Sequence, residues 1–208
     1  MEKITGYSMN QRGLTLIEAA MVLALSAIVI SGVMYYYNAT SESYQEQQAM
    51  EMIENIISKV NALYASAPST EGLTTAVIAT QIPGVKLLKQ DGFDYIEIPG
   101  SKGGLLTIQG MPFYGITLNG IGAHSYYIDY SNYNKQPGNT QYDMCMAITG
   151  GQFGNAYLGA MSLYETTSIL YPNENTVNAR ASFCDGIQKA EKAMARGGVD
   201  FALFFNAS

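Results

Sequence analysis

The chain has 208 residues, of which 48% are hydrophobic and 13% charged, and a formal net charge of −6. An average soluble domain carries about 25% charged residues. This length fits one domain, or one domain with an appendage, and so much apolar material argues against disorder. Eleven Lys and Arg in total leave no basic patch that could neutralise a phosphate backbone, which argues against nucleic acid as a partner. Two Cys and one His cannot alone supply the four ligands of a zinc site.

The N-terminal region carries the strongest signal. Residues 14–37 read LTLIEAAMVLALSAIVISGVMYYY, with Glu18 as the one charge. A membrane helix needs about 20 apolar residues, so this run is long enough to span. Arg12 precedes it, whereas Glu42, Glu46, Glu51 and Glu54 follow before the first positive charge, Lys59. Positive charge stays on the cytoplasmic side, so the N-terminus is expected inside and the body outside. No small-residue cleavage site of the A-x-A kind closes the run, so the apolar segment reads as retained.

Glu18 stands out within it. A carboxylate near the bilayer centre costs about 2.5–3.5 kcal/mol or more, and less toward the interface. It is either an interfacial bystander or a group awaiting a partner. Cleavage after Gly13 would create a positive α-amino group four residues before Glu18, and an amine and a carboxylate in an apolar setting each need a counter-charge.

The stretch G-L-T-L-I-E-A-A-M-V-L-A-L from Gly13 resembles the class III signal of type IV prepilins. The short polar leader, the Leu after the glycine and the length of the body are most similar to the type IVb subfamily, which includes bundle-forming, toxin-coregulated, longus-type and conjugative thin-pilus pilins. The resemblance implies cleavage by a prepilin peptidase between Gly13 and Leu14, N-methylation of Leu14, and a role for Glu18 in assembly. Residues 1–13 are then a leader, 14–37 a transmembrane and filament-core helix, 38–66 the spine helix of a head, and 67–208 the rest of that head. It further implies a homopolymer, an assembly ATPase, an inner-membrane platform protein and an outer-membrane secretin as partners. The location would be the inner membrane before assembly and an extracellular pilus after it. Type II secretion pseudopilins and minor pilins share the signal. Pseudopilins usually lack a C-terminal cysteine pair and often bind calcium, for which no acidic cluster is evident in this sequence.

After Asn38 the chain turns polar, but Ala49, Ile53, Ile56, Val60 and Leu63 recur at spacings of three and four. That is the stripe of an amphipathic helix. No Pro interrupts residues 14–67, so one helix over 14–66 is expected, roughly 80 Å long at about 1.5 Å per residue. Gly32 is either a small residue tolerated in a membrane helix or a place where the helix bends. Residues 72–83 are ambiguous: the β-branched content suggests a strand, while Leu73, Ala76, Val77 and Thr80 share a helical face. The resemblance implies a short helix there.

From Phe93 the period becomes two. Runs at 93–98, 105–108, 114–118 and 125–130, punctuated by glycines, predict a small, largely antiparallel sheet. Asn139 or Thr140 caps a short helix over Tyr142–Ile148, Tyr157–Tyr164 reads as a strand, Asn175–Arg196 as a helix that Gly186 could split, and Val199–Phe205 as a terminal strand. The fold class expected is α+β, with the sheet on the apolar face of the spine helix. Cys145 and Cys184 fall outside the membrane in an oxidising compartment. The resemblance identifies them with the disulfide that bounds the C-terminal region of type IV pilins, here 145–184; the alternative is two buried free thiols.

Catalytic constellations are missing. The sequence holds no G-x-S-x-G, H-E-x-x-H or phosphate loop, and no C-x-x-C. His124 is a surface histidine or a pH-sensitive contact. Asp91, Asp94, Asp129, Asp143 and Glu174 read as solvated carboxylates. Tyr126, Tyr127, Tyr130 and Tyr133 are either strand packing or a patch for sugars or neighbouring subunits. The resemblance implies the major structural subunit of a type IVb pilus, polymerising through its N-terminal helix for adhesion, aggregation or conjugative contact, with no cofactor and no metal; a membrane-anchored enzyme is the third alternative, and the missing catalytic constellation weighs against it.

Overall fold

The computed structural model describes residues 15–90, 92–101, 103–112, 116, 118–132, 140–162, 168–193 and 199–207. The leader, Gly13 and Leu14 lie outside them, as do Asp91, Tyr114, Tyr133, Asn139, Tyr164 and residues 194–196. The element order is α1 (Leu16–Tyr64), α2 (Thr75–Ala79), β1 (Leu87–Gln90), β2 (Phe93–Glu97), β3 (Gly104–Gly110), β4 (Ser125–Asn132), α3 (Thr140–Thr149), β5 (Tyr157–Met161), β6 (Ile169–Leu170), α4 (Val177–Ala193) and β7 (Val199–Asn206). By its internal contacts the chain divides into two compact units, Met1–Ser41 and Glu42–Ser208.

In the second unit a seven-stranded antiparallel sheet runs in the order β1-β2-β3-β4-β7-β5-β6. The terminal strand β7 is therefore central, with eight residues registered on β4 from Ser125↔Asn206 to Asn132↔Val199. Alternation sorts the faces. Ile96, Leu106, Ile108, Tyr126, Ile128, Tyr130, Phe201, Leu203 and Phe205 enter one core with Ala49, Ile53, Ile56 and Val60 of α1 and with residues of α2, α3 and α4. A smaller cluster of Leu118, Met161, Ala202 and Phe204 lies apart from that core. The expected stripe on α1 is buried as read from Ala49 to Val60, whereas Leu63 is exposed, because the helix ends one residue later.

Two short strands, β1 and β6, have too little sequence to carry a period. Ile116 and Leu118, expected in a strand, lie outside any strand and pack through side chains instead. The Thr75–Ala79 helix resolves the 72–83 ambiguity, with Thr74 as its N-cap accepting from Val77 N at 3.4 Å. Its β-branched approach still contributes to the sheet. β2 pairs with β3 only at Leu105 and Leu106. Beyond that point the free edge of β3 is closed by the 70–75 segment: Gly110 N donates to Leu73 O at 3.1 Å, and the Thr75 hydroxyl pairs with Ile108. The approach is so close that a Cβ on Gly110 would lie 1.9 Å from the Thr70 carbonyl oxygen. α4 runs unbroken through Gly186.

Candidate functional site: an exposed apolar helix and a cross-linked head

In the first unit, every described residue from Thr15 to Thr40 is exposed. Leu16, Ile17, Met21, Val22, Leu23, Leu25, Ile28, Val29, Ile30, Val33 and Met34 present apolar side chains all round the helix. A helix apolar on every side needs lipid or other helices around it. α1 is the one helix among the described residues that is long and apolar enough to cross a membrane, and none of its most apolar window is buried. Two hydroxyls in its apolar stretch are satisfied within the helix: that of Ser26 donates to Val22 O and that of Ser31 to Ala27 O, both at 2.7 Å. This is what an apolar solvent demands. Tyr35, Tyr36 and Tyr37 follow, all exposed, as an aromatic belt suited to a membrane interface. The helix continues through Gly32, around which a Cβ would meet nothing within 4 Å.

Glu18 has a partner that the reading of its sequence neighbours overlooked. Thr15 N and the Thr15 hydroxyl both donate to Glu18 Oε2 at 2.8 Å, and Glu18 N donates to Thr15 Oγ1 at 3.3 Å. This is a capping box, and its signal, T-x-x-E ahead of an apolar run, is present in the sequence. The carboxylate therefore closes the first turn of α1 and satisfies a backbone donor that the helix leaves unpaired.

In the second unit Cys145 on α3 and Cys184 on α4 form a disulfide, with a Cα–Cα distance of 5.9 Å. It joins the two C-terminal helices, whose Met144, Ile148, Phe183 and Ile187 are buried beside it. Thr149 ends α3, its hydroxyl donating to Cys145 O at 2.6 Å, and Asn175 Nδ2 donates to Thr149 O at 2.9 Å.

Tyr126, Tyr127 and Tyr130 pack against phenylalanines of β7, and Tyr133 lies outside the described residues. Tyr126 stacks on Phe205 and Tyr130 tilts against Phe201, with ring centroids 5.5 and 5.6 Å apart. Tyr127 faces the other way, against Phe204, and its hydroxyl pairs with Gln109 Oε1 at 2.6 Å. Burial pushes the Tyr130 phenol up to about 12 and raises those of Tyr126 and Tyr157 as well. His124 is half-buried, and its carbonyl accepts from Ala207 N at 2.9 Å. Asp129 is not solvated as its neighbours in sequence suggested: it is 8% exposed, on a central strand. Period-two alternation put it on the solvent side of β4, but nothing local signals that this side is also covered. Among the described residues no group of three or more His, Cys, Asp or Glu is placed to hold a metal ion.

Residues 8–34 match the prokaryotic N-terminal methylation motif, which overlaps the exposed apolar part of α1. The chain is similar to the major structural subunit of the bundle-forming pilus of Escherichia coli O127:H6 (strain E2348/69 / EPEC), at 43% identity over 68 residues. The same identity and span relate it to the subunit of that name from Escherichia coli O111:H-. The match covers 33% of this chain and 35% of each relative, so the chain spans about a third of the length of the curated relatives it matches. No solved structure matches it significantly.

Proposed function

We propose that this protein is the major subunit of a type IVb pilus, a structural protein that polymerises through its N-terminal helix. The observation that carries the reading is the apolar surface of Leu16–Met34, exposed on all sides and coincident with the methylation motif. In a precursor that surface is solvated by the inner membrane. In a filament it is solvated by the same helix of neighbouring subunits, so transfer from lipid to filament core keeps it out of water throughout. The disulfide and the buried sheet make the head a rigid body suited to the filament exterior.

In this reading a prepilin peptidase cuts between Gly13 and Leu14 and methylates the amine of Leu14. Glu18 then supplies the counter-charge to that amine, most simply on an adjacent subunit. An assembly ATPase and platform protein extract the subunit, and a secretin passes the filament. The filament serves adhesion, aggregation or conjugative contact. The test is electron microscopy of filaments sheared from cells, with mass spectrometry of their subunit. A filament subunit beginning at an N-methylated Leu14 is the expected result. Gly13→Val should block conversion to the mature size, because the peptidase needs a close backbone approach at that position. Efficient conversion of Gly13→Val, or filaments built from another protein, would refute the assignment.

A further inference from the structure

The sheet face that carries Tyr127 and Phe204 holds two buried carboxyl groups, Asp129 and Asp200. Ser131 is registered opposite Asp200, and Asp129 opposite Ala202, so Asp129 and Asp200 are diagonal neighbours on one face of the β4–β7 pair. On the other side Asp129 is registered opposite Thr107 of β3. Asp129 is 8% exposed, Asp200 4% and Ser131 fully buried. Asp129 Oδ1 and Ser131 Oγ, both shielded from solvent, have no hydrogen-bond partner.

Two ionised carboxylates in such a place are unfavourable twice over. Each loses hydration worth several kcal/mol on burial, and like charges at this spacing oppose each other's ionisation. A protonated carboxyl, in contrast, supplies one O–H donor to a neighbouring carboxylate. Asp129 sits mid-strand between β3 and β7, whereas Asp200 is the second residue of β7, nearer the sheet end. The other side chains that register and alternation place on this face include Tyr95 and Glu97 of β2, Leu105, Thr107 and Gln109 of β3, Tyr127 and Ser131 of β4, Ala202 and Phe204 of β7, and Met161 of β5. Of these Tyr95, Glu97 and Tyr127 are ionisable: Glu97 lies two strands from β4 and is ion-paired with Lys86 at 2.5 Å, while Tyr127, next to the pair, is pushed up to about 12, by burial first, and stays neutral.

We propose that Asp129 is held as a neutral carboxylic acid donating its proton to the Asp200 carboxylate, a pH-sensitive latch that ties the terminal strand β7 to β4. Burial first, and then the charge and hydrogen bond of Asp200, hold the Asp129 carboxyl well above the usual carboxylate range; a bond from Thr107 opposes this weakly. The folded state therefore keeps a proton that the unfolded chain releases. The contribution to stability is full below the usual carboxylate range and is lost as pH rises through the folded value. β7 is the strand that delivers Phe201, Leu203 and Phe205 to the core, so opening the latch loosens the centre of the sheet rather than an edge.

The test compares the full chain in detergent micelles with Asp129→Asn, whose amide keeps a donor for Asp200 but does not ionise. Thermal midpoints are measured from about pH 5 to about pH 9. The wild-type midpoint should fall relative to that of the variant by at least about 2–4 °C across this range, with the two closest at the acidic end. Midpoints that run parallel with pH would overturn the latch. Infrared spectra of folded protein with 13C-carboxyl-labelled Asp supply a readout that needs no folded variant. At neutral pH the wild type should show a protonated-carboxyl C=O band, and its absence would overturn the proposal by itself.

Discussion

The hydroxyl of Thr75 does the work of a missing strand for Ile108. It donates to Ile108 O at 3.3 Å and accepts from Ile108 N at 2.9 Å, where β2 no longer pairs with β3. Both backbone groups are buried, and a buried backbone donor or acceptor without a partner costs about 1–3 kcal/mol. Thr75→Val keeps the shape and removes both bonds. The expected outcome is a loss of roughly 1–3 kcal/mol, read as a lower denaturant midpoint with an unchanged slope. Thr75→Ser should recover most of it.

Cys145 and Cys184 close a loop with a sequence separation of 39. In the chain-entropy model a cross-link of this span stabilises by about 4 kcal/mol. Cys184→Ser should lower the thermal midpoint of the head by about 8–16 °C, at about 2–4 °C per kcal/mol for a chain of this size, and reduce the amount of subunit in cells. Non-reducing peptide mapping of the wild type should show one linked pair. Quantitative alkylation of both thiols without reductant would contradict it.

Glu46 is a partly exposed carboxylate on α1 whose protonation is favoured first by burial and then by Asp143 and Glu42. Its folded value lies above its unfolded one, so its ionisation works against the fold once pH exceeds the usual carboxylate range. Glu46→Gln should therefore raise the thermal midpoint at neutral pH and leave it unchanged at about pH 4. An equal shift at both would point to packing rather than charge.

Glu18 closes the first turn of α1 with Thr15, within the first unit. Removing a cap costs about 0.5–2 kcal/mol locally. Glu18→Ala should leave head stability, membrane level and cleavage near normal, while filaments become rare or absent. If the proposed cleavage after Gly13 holds, the physical reason is the amine of Leu14, left without a counter-charge in a water-poor filament core. Thr15→Val, which removes the hydroxyl and keeps the carboxylate, separates the two roles: if capping alone mattered, both variants would lose filaments equally. Abundant normal filaments from Glu18→Ala would make the carboxylate an interfacial bystander.

The apolar helix and its motif were legible in the sequence because both depend on neighbours along one helix. A run of residues without charge, a glycine ahead of it and a recurrence at Ala49, Ile53, Ile56 and Val60 are complete within a few turns, since helical hydrogen bonds link residues four apart. The longer strands β3, β4 and β7 announced themselves by alternation or by β-branched and aromatic content, and the short helix α2 needed the resemblance to decide it. What only the tertiary structure decided is which strand lies beside which. The C-terminal strand enters between β4 and β5, the 70–75 segment completes the edge of β3, and Cys145 comes within bonding distance of Cys184. Asp129 belongs with these: its position on a strand is a local property, but its burial is set by β3, β7 and the chain that covers that face. Long-range pairing of this kind is selected by the summed burial of many side chains at once, and no short stretch of sequence contains that sum.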